Sequence, residues 1–557
     1  MALVNSTTSL HTLGLNQAAE KCPKGKQITT HGENRNASLG PDEDAAKSNV
    51  HSDGLKTKIV KTASLYIAFI GLGITLSVLG PTVLDLRDKT GVTTSEISIV
   101  FTGRSLGFLM GSIIGGALID RFNQTLVIAF SLLLGAVAVT ITPWFTQLAL
   151  VVTALGFLGI SSGILDTCGQ VFLLLVWESK IGPYFQLSHF FFGIGSFIGP
   201  LLAKPFISSY RSNASTNITN GNYHNNQAYQ SMYNNSYHGN YISNSFGYHG
   251  NNNTIESEAL QRSDESRKYI NITSTTGYNI TEKMDEIKPL ELMTESNVEY
   301  VYLIIGILHL FMAVVFFSIT LQGKRTLKAL EYKTDSSHGN KETKSRLYSL
   351  QILCLLFSFL YCYGGIEYII GGLLMTFLNV ALGWSKETGT VITSAFWGAF
   401  MLARLIAVPL TKMISFTKLL LIDTFLLAAS IVGLLIFVQH PIAVWVCIIT
   451  AGLSMGTVFA SILSWIQNNA MQVTGVVAGT ALAAASISGM TLPPLVSYLF
   501  PSTYMVFVYT ILVLSFLLII IFAILYITVF IHRKNERKIY NRNIYTSVSM
   551  TDKSVPA

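Results

Sequence analysis

Residues 159–177 read GISSGILDTCGQVFLLLVW. The run lies inside an apolar segment long enough to cross a bilayer. It nevertheless carries an acid, Asp166, and an amide, Gln170, one helical turn apart. A carboxylate near the centre of a spanning helix costs about 2.5–3.5 kcal/mol on insertion scales, so it normally faces a water-filled cavity or a partner. Gly159 and Gly163 form a G-x-x-x-G step that lets another helix approach closely. Together these residues describe a helix that lines a solute pathway through a membrane.

The rest of the chain fits that reading. Of its 557 residues 50% are hydrophobic and 12% charged, where average soluble chains are roughly 25% charged. Mean hydropathy is +0.47. Such a composition argues against a soluble enzyme. The charges crowd the two ends, one long loop and a central linker, and they leave apolar runs between. The net charge of +7 is therefore a topology signal and does not point to nucleic acid. Cys22, Cys168, Cys354, Cys362 and Cys447 all lie outside the polar loop, without metal-ligand spacing, so neither a disulfide framework, a metal nor a cofactor is expected. No signal peptide precedes the first apolar segment, which is expected to direct insertion.

Twelve spans are expected, over residues 62–84, 96–119, 124–143, 147–174, 184–206, 298–321, 349–377, 387–410, 417–438, 441–466, 474–498 and 503–531. The fold class is thus an all-α membrane protein. Lys56 to Lys61, Arg121, Lys180, the Lys324–Arg346 linker, Lys412, Lys418 and Arg533 to Lys538 fall on one side, which the positive-inside rule makes cytosolic. The organisation expected is a cytosolic tail over 1–60, a six-helix bundle over 61–322, a linker over 323–348, a second bundle over 349–531 and a cytosolic tail over 532–557. An outer loop over 208–297 interrupts the first bundle. It is rich in Asn, Ser and Tyr and carries N-x-S/T sequons at Asn213, Asn217, Asn234, Asn252, Asn271 and Asn279. A solvated, glycosylated insert is the reading preferred for it. Asn5, Asn36 and Asn123 match the same pattern on the cytosolic side.

The two halves echo each other. Glu96, Gly107 and Met110 recur as Glu387, Gly398 and Met401, 291 positions later. Gly159-Ile-Ser-Ser-Gly163 recurs as Gly452-Leu-Ser-Met-Gly456, and Gly195 with Pro200-Leu201 recurs as Gly489 with Pro494-Leu495. Matches at nearly one offset pair helix 2 with 8, 4 with 10 and 5 with 11. This is a parallel repeat of two pseudo-symmetric six-helix bundles, an architecture that places its solute at the repeat interface and alternates access by rocking the halves.

Between helices 2 and 3 stands Gly116-Ala-Leu-Ile-Asp120-Arg121. The cluster resembles the cytoplasmic loop signature of the major facilitator superfamily, which implies a gating role for Gly116, Asp120 and Arg121. Its later basic residues are replaced by Asn123-Gln124. LGPTVLDL (79–86), FTGRSLGFLMGSIIGGALID (101–120), SGILDTCGQVFLLLVW (162–177), FQLSHFFFGIGSFIGPLLAK (185–204) and SAFWGAF (394–400) resemble the sodium-dependent glucose transporter 1 branch of that superfamily. More distantly, G-x-L-D-T resembles helix 4 of bacterial fucose/proton symporters, where an acid at the position of Asp166 takes part in coupling. The resemblance implies the major facilitator fold and facilitated or ion-coupled entry of a hexose, with Na+ as a coupling ion. It further implies a plasma-membrane protein, in the lipid bilayer, that functions as a monomer with a small sugar as its partner.

Sugar recognition needs polar groups for hydroxyls and flat aromatic faces for the C–H side of the ring. The candidates for substrate binding or coupling are Asp166 and Gln170 in helix 4, Tyr363 and Glu367 in helix 7, and Trp465 and Gln467 in helix 10. Gln186 and His189 in helix 5, Trp397 and Arg404 in helix 8, and Arg104 in helix 2 complete the set. Each has a plainer reading: Asp166 paired with Arg104, Glu367 in water near the outer boundary, His189 a satisfied helix contact, the tryptophans packing. Helix 1 offers only the hydroxyls of Thr75 and Ser77 where the fucose symporters have a second acid, and Gln467 stands where the resembling branch has one. The alternatives are a facilitative or proton-coupled carrier of another small polar solute (another sugar, a polyol, urea) and a non-transporting membrane sensor. An enzyme is not expected, since Gly-Ile-Ser-Ser-Gly sits inside a spanning helix and not at the strand-to-helix turn of a serine hydrolase.

Overall fold

The computed structural model describes residues 55–119, 121–178, 181–208, 296–322 and 346–551. Among them twelve helices are long and apolar enough to cross a membrane. They are α1 (Leu55–Thr90), α2 (Thr94–Ile119), α3 (Gln124–Ile141), α4 (Leu148–Trp177), α5 (Ile181–Ala203) and α6 (Val298–Gln322) in the first half. The second half holds α7 (Arg346–Leu382), α8 (Lys386–Met413), α9 (Phe416–Ile436), α10 (Pro441–Asn469), α11 (Gly475–Leu499) and α12 (Val506–Thr551). Large apolar side chains such as Ile113, Phe130, Phe311, Ile442 and Val513 are exposed on the outside. A surface of that kind belongs against lipid, and the chain is a multi-pass membrane protein. Asp120, most of the expected linker and N-terminal tail, residues 552–557 and all six loop sequons lie outside the described residues.

The ends of the helices differ from the expected limits. Helix α1 already begins at Leu55, and α12 runs to Thr551, well past residue 531. The extension of α12 reads HRKNERKIYNRN, half of it the helix formers Arg, Lys and Glu, with neither Gly nor Pro. His532 and Glu536 pair across one of its turns at 2.9 Å. The face where α1 begins and α12 ends is called here the terminal face, and the other the opposite face.

Two turns on the opposite face are built alike. Helix α1 gives way at Gly91 and α7 at Gly383, both with φ of +67°, a backbone region that glycine enters without steric cost. Two residues later Thr93 and Ser385 cap α2 and α8. Thr93 and Glu96 exchange hydrogen bonds in a capping box, so Glu96, a marker of the repeat, is a helix-starting residue. Asn123, the sequon residue before α3, likewise caps its helix by accepting from the Thr125 amide at 3.0 Å.

The repeated glycines set the packing inside each half. A Cβ on Gly159 or Gly163 of α4 would lie 2.1 and 2.2 Å from the Arg104 and Phe108 carbonyl oxygens of α2. A Cβ on Gly452 or Gly456 of α10 would lie 2.5 and 2.4 Å from those of Phe396 and Phe400 on α8. Backbones this close exclude any side chain. The halves meet along α1 with α7, α2 with α11, and α5 with α8. Across this seam Thr102 donates to the Met490 carbonyl (2.7 Å), Ser95 to that of Ser497 (2.9 Å), and Ser394 to that of Phe197 (2.6 Å).

Candidate functional site

The seam is where polar side chains from both halves collect. On the first half, α4 presents Asp166, whose carboxylate accepts from the Gln170 side-chain amide at 3.3 Å. The Gln170 side-chain carbonyl and the Thr167 hydroxyl beside it are buried without a hydrogen-bond partner among the described residues. Buried polar atoms without partners are uncommon in native structures. Gly169, on the same stretch, packs against the Phe69 ring of α1.

Arg104 projects from α2 and is 8% exposed. Its guanidinium reaches the Leu76 carbonyl of α1 at 3.5 Å, and its Nε has no hydrogen-bond partner among the described residues. Asp166 and Arg104 form no ion pair within 4 Å, so the plainer reading of Asp166 as half of a buried pair with Arg104 does not describe this state. The Tyr302 phenol of α6 and the Tyr368 phenol of α7 lie within electrostatic reach of Arg104. Tyr368 also senses Asp166 and Glu367. A Cβ on Gly489 of α11 would come within 3.0 Å of the Tyr368 ring. Tyr368 is therefore within electrostatic reach of charged groups on both halves.

On the second half, Tyr363 of α7 donates to the Met455 carbonyl at 3.2 Å and lies between Glu367 and Arg404. Arg404 extends from α8 across the seam and donates to the His189 carbonyl of α5 at 3.3 Å. Its guanidinium stacks over Phe400 at 4.4 Å and approaches Phe192 at 5.9 Å, a cation–π clamp whose attraction grows when water is excluded. His189 stands edge-on to Phe185 at 4.8 Å. Gln186 is exposed.

Three candidates lie elsewhere. Trp465 is buried, donates from its indole to Thr417 of α9 at 2.9 Å and meets Phe522 of α12 edge-on. It packs the second bundle. Trp397 is 2% exposed, wedged between Phe396 and Phe400 and pressed on Gly371. Gln467 is at the terminal face, where its side-chain carbonyl accepts from the Val473 amide at 2.5 Å. It lines a cavity of about 230 Å³ with Tyr348, His532, Arg533 and Glu536. Of the loop cluster, Arg121 is exposed and Gly116 faces open space.

Sequence reasoning missed three features. His309 of α6 is buried, with its ring nitrogens near the Ile305 carbonyl (2.9 Å) and the Thr75 hydroxyl (3.5 Å). Asp423 of α9 is buried against Thr457 of α10, whose hydroxyl donates to it. Both interrupt apolar runs just as Asp166 does, so the same signal could have found them. The third is an ion pair on the opposite face, where Lys386 meets Asp85 at 3.6 Å and Asp88 at 3.7 Å.

The profile of the Major Facilitator Superfamily matches residues 65–214 and 291–493. A human protein named sodium-dependent glucose transporter 1 is 28% identical over 436 residues, covering 78% of this chain and 72% of its own. Its Xenopus laevis namesake is 26% identical over 455 residues, covering 81% and 78%. Among solved structures, a bacterial homologue of the human lysosomal transporter Spinster, inward-facing and occupied, superposes with a TM-score of 0.55 at 9% identity, covering 86% of this chain and 98% of that one.

Proposed function

Because the chain belongs to the Major Facilitator Superfamily, we propose that it is a plasma-membrane secondary transporter that moves a glucose-like hexose by alternating access, with Na+ coupled through Asp166. The observation that carries this reading is the pairing of chemistries across the seam. Asp166, Gln170 and Arg104 stand on one half, and Glu367, Tyr363 and Arg404 on the other. A hydroxyl-rich solute seated there is gripped by carboxylates and amides as acceptors and by guanidinium, phenol and amide groups as donors. The names of its relatives support a sugar as cargo and sodium as driving ion. The distribution of basic residues supports cytosolic termini, an extracellular opposite face and a glycosylated outer loop over residues 208–297. One chain holds both halves of the site, so a monomer suffices.

A second reading, a purely facilitative carrier of a small polar solute, draws on one observation. Asp166 receives a single hydrogen bond, from a side-chain amide, whereas a sodium ion requires several oxygen ligands. The test is uptake of a radiolabelled glucose analogue by cells expressing the chain, in sodium and in choline buffer. Sodium-stimulated uptake supports coupling, and sodium-indifferent uptake selects the facilitative reading. No uptake, with the protein verified at the surface, removes the hexose.

A further inference from the structure

Lys386 is the first residue of α8, a position where a cation opposes the helix dipole. It is nonetheless 8% exposed, and Asp85 of α1, which faces it, is 0% exposed. Helix stability gives no reason for an ammonium there. Its partners do: Asp85 at 3.6 Å and Asp88 at 3.7 Å, both on the other half of the molecule. The neighbouring cation of α1, Lys89, is engaged by Glu299 of α6 within the first half. The contact sits on the opposite face, with the Ser95–Ser497 and Thr102–Met490 hydrogen bonds. A Cβ on Gly80 would lie 2.3 Å from the Gly371 carbonyl, so α1 and α7 touch backbone to backbone below it.

We infer that Lys386, held by Asp85 and Asp88, is the latch that keeps the opposite face of the transporter closed. The inference rests on the alternating-access reading but not on the sugar. To admit solute from that face, α1 must part from α8, and the two charges then pass into water. While the face is closed, the ammonium offsets the charge of the buried Asp85 carboxylate. Removal of one member of a buried pair leaves an uncompensated charge and is strongly unfavourable, whereas removal of both is much less so. Loss of Lys386 alone therefore shifts the population toward the state open at this face, and a second change at Asp85 shifts it back.

The test is maleimide labelling of a reporter cysteine, Thr102→Cys, at the seam of the purified full-length protein, with the parent lacking that cysteine as blank. K386Q is expected to raise the labelling rate about tenfold, the size of a shift of about 1.4 kcal/mol between two states. D85N/K386Q is expected to return it near the rate of Thr102→Cys alone. D85N alone removes the buried one of the ammonium's two carboxylates, keeps the half-exposed Asp88 and is expected to raise labelling too. A folding failure of either single variant thus leaves the other comparison standing. Unchanged labelling in the folded single variants, or labelling in the double variant as fast as in the singles, overturns the latch. The readout needs no substrate, so a failed latch with intact uptake is distinguishable from a failed transport reading.

Discussion

Gly80 on α1 and Gly371 on α7 meet each other across the seam. A Cβ on Gly80 would stand 2.3 Å from the Gly371 carbonyl oxygen. A backbone contact this tight leaves no room for a side chain between the two bundles. Gly80→Val is expected to cost at least the roughly 1–3 kcal/mol typical of overpacking and to abolish uptake. Gly479→Ala on α11, where nothing lies within 4 Å, is the control and leaves both unchanged. Thermal unfolding of the purified variants, alongside uptake, checks the pair.

Asp166 carries the proposed coupling. Asp166→Asn keeps the shape and the hydrogen bond with Gln170 but removes the charge. The variant should reach the surface and lose ion-dependent accumulation, while downhill equilibration of sugar survives. Accumulation at the parent level would make Asp166 structural or peripheral.

Arg404 joins the halves through the His189 carbonyl and the Phe192 face, and stacks on Phe400 of its own helix. Lysine keeps the charge but not the planar donor that stacks and hydrogen-bonds together. Arg404→Lys is therefore expected to lower maximal uptake by about tenfold, a loss of about 1.4 kcal/mol. A kinetic comparison with Arg404→Ala decides it, and parental uptake in the lysine variant would remove the clamp from the transport cycle.

Tyr363 and Trp465 separate site from scaffold. Tyr363→Phe deletes a hydroxyl that sits between Glu367 and Arg404 and should raise the apparent KM for substrate. Trp465→Phe deletes the hydrogen bond to Thr417. It should cost about 1 kcal/mol of stability and leave KM alone. Measured KM and melting temperatures of the two variants would show the reverse pattern if Trp465 were the stacking platform.

The contrast between these two residues also shows how far the sequence could be read. Spans and repeat were legible because apolar runs and a fixed offset require no knowledge of neighbours, and Gly159 with Gly163 named the close-packed face of α4 directly. The facing of single polar residues was less legible. In a helix apolar on every side, spacing does not tell the seam from a neighbouring helix. Trp465 and Asp166 look alike in sequence, yet one packs on α9 and α12 while the other lies in the polar cluster along the seam. Asp423 gave the same signal as Asp166 and lies against Thr457 inside one bundle. The Lys386–Asp85 contact was hidden for another reason. Both residues sit at helix margins, where charges are ordinary, and only the folded seam brings them together.

The central claim is that this chain carries a hexose by alternating access, and counterflow in proteoliposomes tests it most directly. Vesicles holding the purified protein are preloaded with unlabelled D-glucose and diluted into a trace of labelled D-glucose, without any ion gradient. The expected result is a transient accumulation of label above equilibrium, absent when L-glucose is the preload. Label that enters no faster than in protein-free vesicles, or an overshoot equal with both enantiomers, would contradict it.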